Sequence, residues 1–204
     1  SMTKRATRSR GETYGQHVRL ECYDALAAAG FVRFRKEGVD WPLADGFHCW
    51  VGLNTAVHPA HIEINPFVGV HVVPIEKLWT HLKVGKYPGN YDRGVATYSR
   101  HLGELAPNES VFHFTRQIDV KAEAARLARL YATIGLTYAR SLISYETMLP
   151  LLQERCEMLG GYPERIASCL YLMGRKSAAR VLTQKLLAQH REYFEGFAIP
   201  FMEM

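Results

Sequence analysis

Two neighbouring stretches of the chain alternate apolar and polar residues with a period of two. They cover residues 47–57 and 62–73, and the short segment 58–61 joins them. Alternation of this kind is typical of a strand with one buried face. The pattern therefore predicts an antiparallel hairpin, 47–57 paired with 62–73, at the centre of a sheet.

This pairing sorts the side chains of the hairpin onto two faces. The apolar face sets Val51 against Val68 and Val57 against Ile62, and the other face is polar at nearly every rung. A slip of one residue would turn the apolar set outward, so the two strands together fix the register. Pro66 cannot donate a ladder hydrogen bond, which predicts a sheet edge or a bulge at that point.

Helical spacing and shorter alternating segments flank the hairpin. We predict helices over 12–29 and 74–82, strands at 31–36, 95–102 and 110–115, and loops at 37–38, 41–46 and 85–94. From Asp119 the spacing is helical, with one helix over about 137–159, a helical pair 163–173 and 178–190, and Ser177 as the N-cap of the last helix. The fold class predicted is α+β: an antiparallel sheet with helices packed on one face, followed by an all-helical C-terminal half.

Charge and composition divide the chain further. The 204 residues are 48% hydrophobic, enough for a substantial core, and carry a formal net charge of +5. Four of the positive charges precede the first acidic residue, at Lys4, Arg5, Arg8 and Arg10. We therefore predict a basic flexible arm over 1–11, an α+β domain over 12–118, and a helical region over 119–204 packed on that domain.

Cysteine usage and hydropathy indicate the compartment. The four cysteines are far apart and form no Cys-x-x-Cys pair, which is typical of buried reduced thiols. The first residues lack the apolar core of a secretory signal, and no run approaches the roughly 20 apolar residues that cross a bilayer. We expect a cytoplasmic protein without membrane association and without a cofactor.

Histidines are concentrated on the polar face of the hairpin. The register opposes His48 and His71, which makes them candidates for general acid–base catalysis. The metal-ligand candidates are His58, His61 and Glu63, which lie close together in sequence at the turn. The competing interpretation is a polar sheet face that is hydrated or covered by a partner.

Two groups of residues are candidates for binding. The first group lies on the polar face and comprises Trp50, Asn54 and Asn65. The second lies in the loop 85–94, which we call the tyrosine lobe, and comprises Tyr87, Tyr91 and Arg93. Tyrosine, tryptophan and arginine dominate the energetics of protein interfaces, so these positions favour a partner-binding surface.

Part of the chain resembles an uncharacterised family of bacterial domains of unknown function. The resemblance is in the segments LAAAGFVRFRKEG, WVGLN and INPFVGVH with the following PIEKL, over about Leu26 to Leu82. It implies a bacterial cytosolic α+β domain and carries no activity. The helical pair 163–173 and 178–190 resembles a tetratricopeptide hairpin, but one hairpin is not an array.

These observations favour a non-enzymatic protein-interaction module of accessory, defence or toxin-immunity type, since no G-x-S-x-G, dinucleotide-glycine or H-E-x-x-H motif is present. One alternative is a small histidine-dependent hydrolase or nuclease, with or without a metal. Another is nucleic-acid binding through the basic arm and the tyrosine lobe. A homodimer through the aromatic segment 194–201 stays open as well.

Overall fold

The computed structural model is an α+β fold with one antiparallel sheet, as the sequence predicts. It describes residues 12–158 and 160–204. The strands are β1 Val32–Arg35, β2 Gly38–Ala44, β3 Phe47–Val57, β4 His61–Val72, β5 Tyr98–His101 and β6 Phe112–Thr115. The helices are α1 Tyr14–Ala28, α2 Val73–Leu82, α3 Val120–Leu130, α4 Leu136–Arg140, α5 Tyr145–Gln153, α6 Tyr162–Leu172, α7 Lys176–Gln189 and α8 Arg191–Met202, and a π turn, Tyr131–Gly135, joins α3 to α4.

The described residues form two compact units. One unit contains the residues up to Trp41 together with Val51–Val68 and Arg100–Thr137, and the other contains Pro42–Trp50, Gly69–Ser99 and Tyr138–Met204. The sheet order is β1-β2-β3-β4-β5, and β6 also pairs with β4. In the first unit α1 packs on α3, and in the second α2 packs on α6 and α8. The predicted basic arm, 1–11, lies outside the described residues.

The central hairpin forms as predicted. Burial alternates from Phe47 to Val51 on β3 and from His61 to Val68 on β4, and the end of β4, from Val68 to Val72, is buried on both faces. The backbone N–H of His58 donates to the carbonyl of His61 at 3.0 Å and closes the turn. One prediction on the apolar face is wrong: Val57 is 75% exposed, although Ile62, its predicted partner, is buried.

The strand β4 accommodates Pro66 without a bulge. Burial continues to alternate through Ile64, Pro66 and Val68, which a bulge would have shifted by one. β6 pairs with β4 only over His61–Ile64, and the N–H of Thr97 donates to the carbonyl of Val70 further along. Pro66 lies between these two stretches, where the strand needs no donor on that side.

Residues 41–44 belong to β2, so the predicted loop there is wrong. β1 pairs with β2 only as far as Val32 opposite Asp40, and Pro42 lies beyond that pairing. A proline is tolerated in such a position because no ladder hydrogen bond is lost. Asp45 and Gly46 then form the turn into β3, both with positive φ of 41° and 82°. Asp-Gly is a strong sequence signal for a hairpin turn, so this dipeptide indicates a strand on each side of it.

The helical half departs from the prediction in its boundaries. The helix predicted over 137–159 is interrupted after Arg140, and Ser144 caps a new helix by accepting a hydrogen bond from the N–H of Thr147 at 3.1 Å. α7 begins at Lys176, so Ser177 lies inside the helix and is not its N-cap. The aromatic segment in α8 buries Phe194, Phe197 and Phe201 in its own chain.

Replacing Val68 by aspartate tests the buried face. Val68 is fully buried, and an unpaired carboxylate there should lower the free energy of unfolding by more than about 4 kcal/mol. Urea denaturation followed by circular dichroism measures the loss. The matched control is Val57→Asp, at the exposed end of the same hairpin, which should cost less than about 1 kcal/mol. A Val68→Asp protein as stable as this control would contradict the assignment of the apolar face.

Candidate functional site

The three metal-ligand candidates meet at the end of the hairpin. The rings of His58 and His61 stack with their centroids 4.6 Å apart, and His58 Nε2 lies 3.3 Å from Glu63 Oε2. The ring of His113 packs edge-on against His61 at 5.0 Å. Within residues 12–158 and 160–204, however, no group of three or more histidine, cysteine, aspartate or glutamate side chains is arranged to hold a metal ion.

The structure brings the two catalytic candidates together and ties one of them to the tyrosine lobe. The rings of His48 and His71 lie 6.4 Å apart. His71 is fully buried, with Nδ1 2.6 Å from the carbonyl oxygen of Val95 and Nε2 3.0 Å from the hydroxyl of Tyr91. A carbonyl only accepts, so Nδ1 carries the proton, and Nε2 of the neutral ring accepts a hydrogen bond from Tyr91.

The same lobe covers the neighbouring tryptophan. The indole N–H of Trp50 donates to the carbonyl of Gly94 at 2.8 Å. With His71 buried and Trp50 bonded to the lobe, this part of the polar face is not an open surface, contrary to the expectation. The lobe packs there because its own backbone carbonyls satisfy the polar groups of the sheet. Asn54 is exposed and Asn65 is half-buried on the part of the hairpin that belongs to the other unit.

A glycine sets how closely the lobe approaches α2. The N–H of Gly89 donates to the carbonyl of Lys83 at 2.8 Å. A Cβ atom at position 89 would lie 2.6 Å from Thr80 Cα, a distance that no side chain tolerates. The absence of a side chain at position 89 therefore allows the lobe to return along α2 and places Asn90 and Tyr91 beside the helix.

A cleft of about 640 Å³ lies between α2 and the lobe, and we call it the α2 cleft. Its lining comprises Lys77, Leu78, Thr80, His81, Gly89, Asn90 and Tyr91. Lys77 and His81 are one helical turn apart, and the Lys77 ammonium lies 5.5 Å from the centroid of the Tyr91 ring. Across the part of the chain that the structure describes, no carboxylate pairs with Lys77 or His81. Sequence reasoning found Tyr91 but missed Lys77 and His81, which have the spacing of ordinary exposed helix positions.

The other two candidates in the lobe lie apart from the α2 cleft. The ring of Tyr87 contacts Tyr193 with centroids 5.6 Å apart, and these two residues line a second cavity of about 300 Å³. Lys86 donates to Glu192 at 2.7 Å beside them, and Glu195 lies in the same lining. Arg93 is half-buried. The tyrosine lobe therefore contributes to two separate surfaces. One is the α2 cleft, which contains Lys77, and the other is the cavity beside Tyr193, which contains Glu192 and Glu195.

A buried ion pair fixes the position of α2. Glu76, 2% exposed, accepts two hydrogen bonds from the guanidinium of Arg165 on α6, at 2.9 and 2.8 Å, and a third from the hydroxyl of Thr97 at 2.9 Å. Burial acts against the charged form of Arg165, but the Glu76 carboxylate outweighs it and raises the pKa of Arg165. The pair therefore stays ionised and fully hydrogen-bonded.

A second buried pair lies at the end of α2. The Lys83 ammonium donates to Glu164 Oε2 at 3.1 Å and lies 3.8 Å from the centroid of the Tyr193 ring. Burial raises the pKa of the Glu164 carboxyl, and Lys83 opposes that rise. Nothing in the local sequence marked either residue as buried, since Lys83 directly follows the last residue of α2 and Glu164 lies in the first turn of α6.

Comparisons with known proteins give no relative to extend this description. No protein-family model, no curated protein and no solved structure matches the chain. Among the described residues, no helix has both the length and the apolar character needed to cross a membrane.

Removing Glu76 should destabilise the fold strongly. Glu76→Ala leaves the Arg165 guanidinium buried without its carboxylate, which we expect to cost about 3–5 kcal/mol in urea denaturation. Glu192→Ala is the control, because it breaks an ion pair that is exposed to solvent and should leave the denaturation midpoint unchanged. Equal midpoints for the two variants would show that the buried pair does not hold α2.

The four thiols should differ in reactivity. None of the four is in a disulfide in the described structure, and burial raises the pKa of Cys22 and of Cys169 to about 12, so little thiolate forms there at neutral pH. Cys49 is also buried, whereas Cys156 is half-buried. A maleimide reagent at pH 7 should modify Cys156 first and the other three only when urea unfolds the chain. Mass spectrometry of the peptides measures this order, and early modification of Cys22 would contradict the packing of α1.

Proposed function

We propose that the protein is an interaction module that binds an acidic segment of a partner protein in the α2 cleft. The observation that carries this proposal is the Lys77 ammonium, with the His81 imidazole one helical turn away, beside the 41% exposed ring of Tyr91. Neither Lys77 nor His81 has a carboxylate partner among the described residues. A partner carboxylate would supply the missing charge.

The lining of the cleft suits a side chain with both apolar and charged parts. Leu78 and the Tyr91 ring offer apolar surface, and Lys77 and the amide of Asn90 offer donors. Tyrosine in such a position provides a large contact area at a small cost in conformational entropy. A glutamate or aspartate next to an apolar residue matches this combination.

The cleft is supported by rigid elements. The Glu76–Arg165 pair holds α2, and the bonds from Trp50 to Gly94 and from His71 to Val95 hold the lobe. Little ordering is then needed when a partner binds, so more of the contact energy appears as affinity.

Charge favours a protein partner over a nucleic acid. Glu192 and Glu195 line the cavity next to Tyr87 and pair with Lys86 and Arg191, so this surface offers a phosphate backbone no net positive charge. The four basic residues of the N-terminal arm lie outside the described residues and do not enter the argument. An acidic peptide that occupies only the α2 cleft needs no charge from that surface.

Selection from a random peptide library on the purified protein tests the proposal. We expect the enriched peptides to be rich in aspartate and glutamate. Lys77→Glu should weaken the best of them roughly tenfold, since two surface charge contacts are lost or reversed at about 0.5–1 kcal/mol each. Fluorescence anisotropy with the labelled peptide measures the change.

The matched control is Lys121→Glu, which makes the same charge change at an exposed position of α3. It should leave the affinity unchanged. Failure to enrich acidic peptides, or equal losses in the two variants, would contradict the proposal. Binding of a single-stranded oligonucleotide that is tighter than peptide binding and falls steeply with salt would favour the nucleic-acid alternative.

A further inference from the structure

Tyr91 combines exposure to a cleft with a buried histidine base. Its hydroxyl donates to Nε2 of His71 at 3.0 Å, and Nδ1–H of His71 donates in turn to the carbonyl of Val95 at 2.6 Å. We propose that Tyr91 is a nucleophilic tyrosine that accepts an acyl group from an activated carboxylic ester, with His71 as its general base. This reaction goes beyond peptide binding and does not depend on it.

The three groups have the arrangement of an activated nucleophile. Such sites place the nucleophile within hydrogen-bond reach of a base and orient the base with a third group. The Val95 carbonyl fixes the tautomer of His71, so that the unprotonated Nε2 faces the phenol. His71 is fully buried, and the packing of the lobe on the sheet holds the imidazole in place.

Tyr91 is exposed to the α2 cleft, where a substrate can approach its side chain. The cleft of about 640 Å³ is large enough for a small ester, and Tyr91 is part of its lining. The Lys77 ammonium, 5.5 Å from the ring centroid, favours negative charge on the phenol oxygen. The Lys77 ammonium also supplies positive charge in the cleft, where a carbonyl oxygen would become an oxyanion.

The proposed step balances as an ordinary acyl transfer. The Tyr91 oxygen attacks the carbonyl carbon of the ester, and its proton passes to Nε2 of His71. The bond between the carbonyl carbon and the leaving oxygen then breaks, and the leaving group departs with the bonding electrons as an alkoxide or phenolate. The protonated His71 then gives its Nε2 proton to the leaving oxygen, so the products are an aryl ester on Tyr91, a neutral His71 and an alcohol or phenol.

Tyr87 is an internal comparison for this chemistry. The two tyrosines lie in the same lobe, with 41% exposure for Tyr91 and 42% for Tyr87. Each ring has a lysine ammonium at a similar distance from its centroid, 5.5 Å for Lys77 on Tyr91 and 5.4 Å for Lys86 on Tyr87. Among the described contacts, the hydrogen bond to a histidine belongs to Tyr91. Lys86 also forms a side-chain hydrogen bond with Tyr87, a contact that would assist rather than slow the reaction there, so a faster reaction at Tyr91 is attributed to His71.

The test treats the full chain with p-nitrophenyl acetate near pH 7.5 and follows acetylation of each tyrosine by peptide mass spectrometry. Release of the acetyl group by hydroxylamine distinguishes an aryl ester from an acetylated lysine. We expect Tyr91 to be acetylated on the order of 100-fold faster than Tyr87, the usual effect of a positioned general base.

Two variants distinguish the effect of the His71 base from the effect of the other residues around Tyr91. His71→Gln keeps a donor and an acceptor in the ring's place but has no basic nitrogen, so the rate at Tyr91 should fall to that of Tyr87. Tyr91→Phe should remove the fast label and leave acetylation of Tyr87 unchanged. Circular dichroism checks that both variants are folded, and the comparison of the two tyrosines in the unaltered chain remains decisive if His71→Gln does not fold. Equal rates at the two tyrosines, or an unchanged rate at Tyr91 in a folded His71→Gln protein, would overturn the proposal.

Discussion

The carboxylate of Glu76 is the interaction on which the second unit depends. It is buried, and it receives hydrogen bonds from α6 through Arg165, from the segment before β5 through Thr97, and from Trp79 on its own helix at 3.2 Å. The Thr97 hydroxyl also accepts a hydrogen bond from the N–H of Val72, at the end of β4. One charged group thus joins a strand end, a loop and two helices, and an unsatisfied charge in that place would be costly. The α2 cleft exists because α2 is fixed in this way.

Sequence reasoning predicted the central hairpin correctly because patterns on both of its strands indicate the same pairing. The hairpin has an apolar face and a polar face on both strands, so any wrong register conflicts with four patterns at once. It failed at β2, where Trp41 and Pro42 suggested a loop. Whether a proline interrupts a strand depends on the neighbouring strand, and the chain around Pro42 does not reveal that β1 ends opposite Asp40.

The candidate site was only partly predictable for a related reason. His71 was placed on the polar face and Tyr91 in the lobe, but their hydrogen bond depends on a lobe that folds back over the sheet. Lys77 and His81 have the spacing of ordinary helix surface residues, and Glu76 and Arg165 are 89 positions apart. Propensity and periodicity describe local preference, and these contacts are decided by tertiary packing.

The close approach of Gly89 to α2 has a consequence for how the sequence can vary. Backbone contact with Thr80 rules out a side chain at position 89, whatever the α2 cleft binds. The constraint on position 89 comes from the path of the main chain, whereas a constraint on Lys77, His81 and Tyr91 would come from the proposed ligand. Under the proposed function, related proteins could exchange the cleft residues as their ligands diverge, but a residue other than glycine at position 89 would require the lobe to move away from α2.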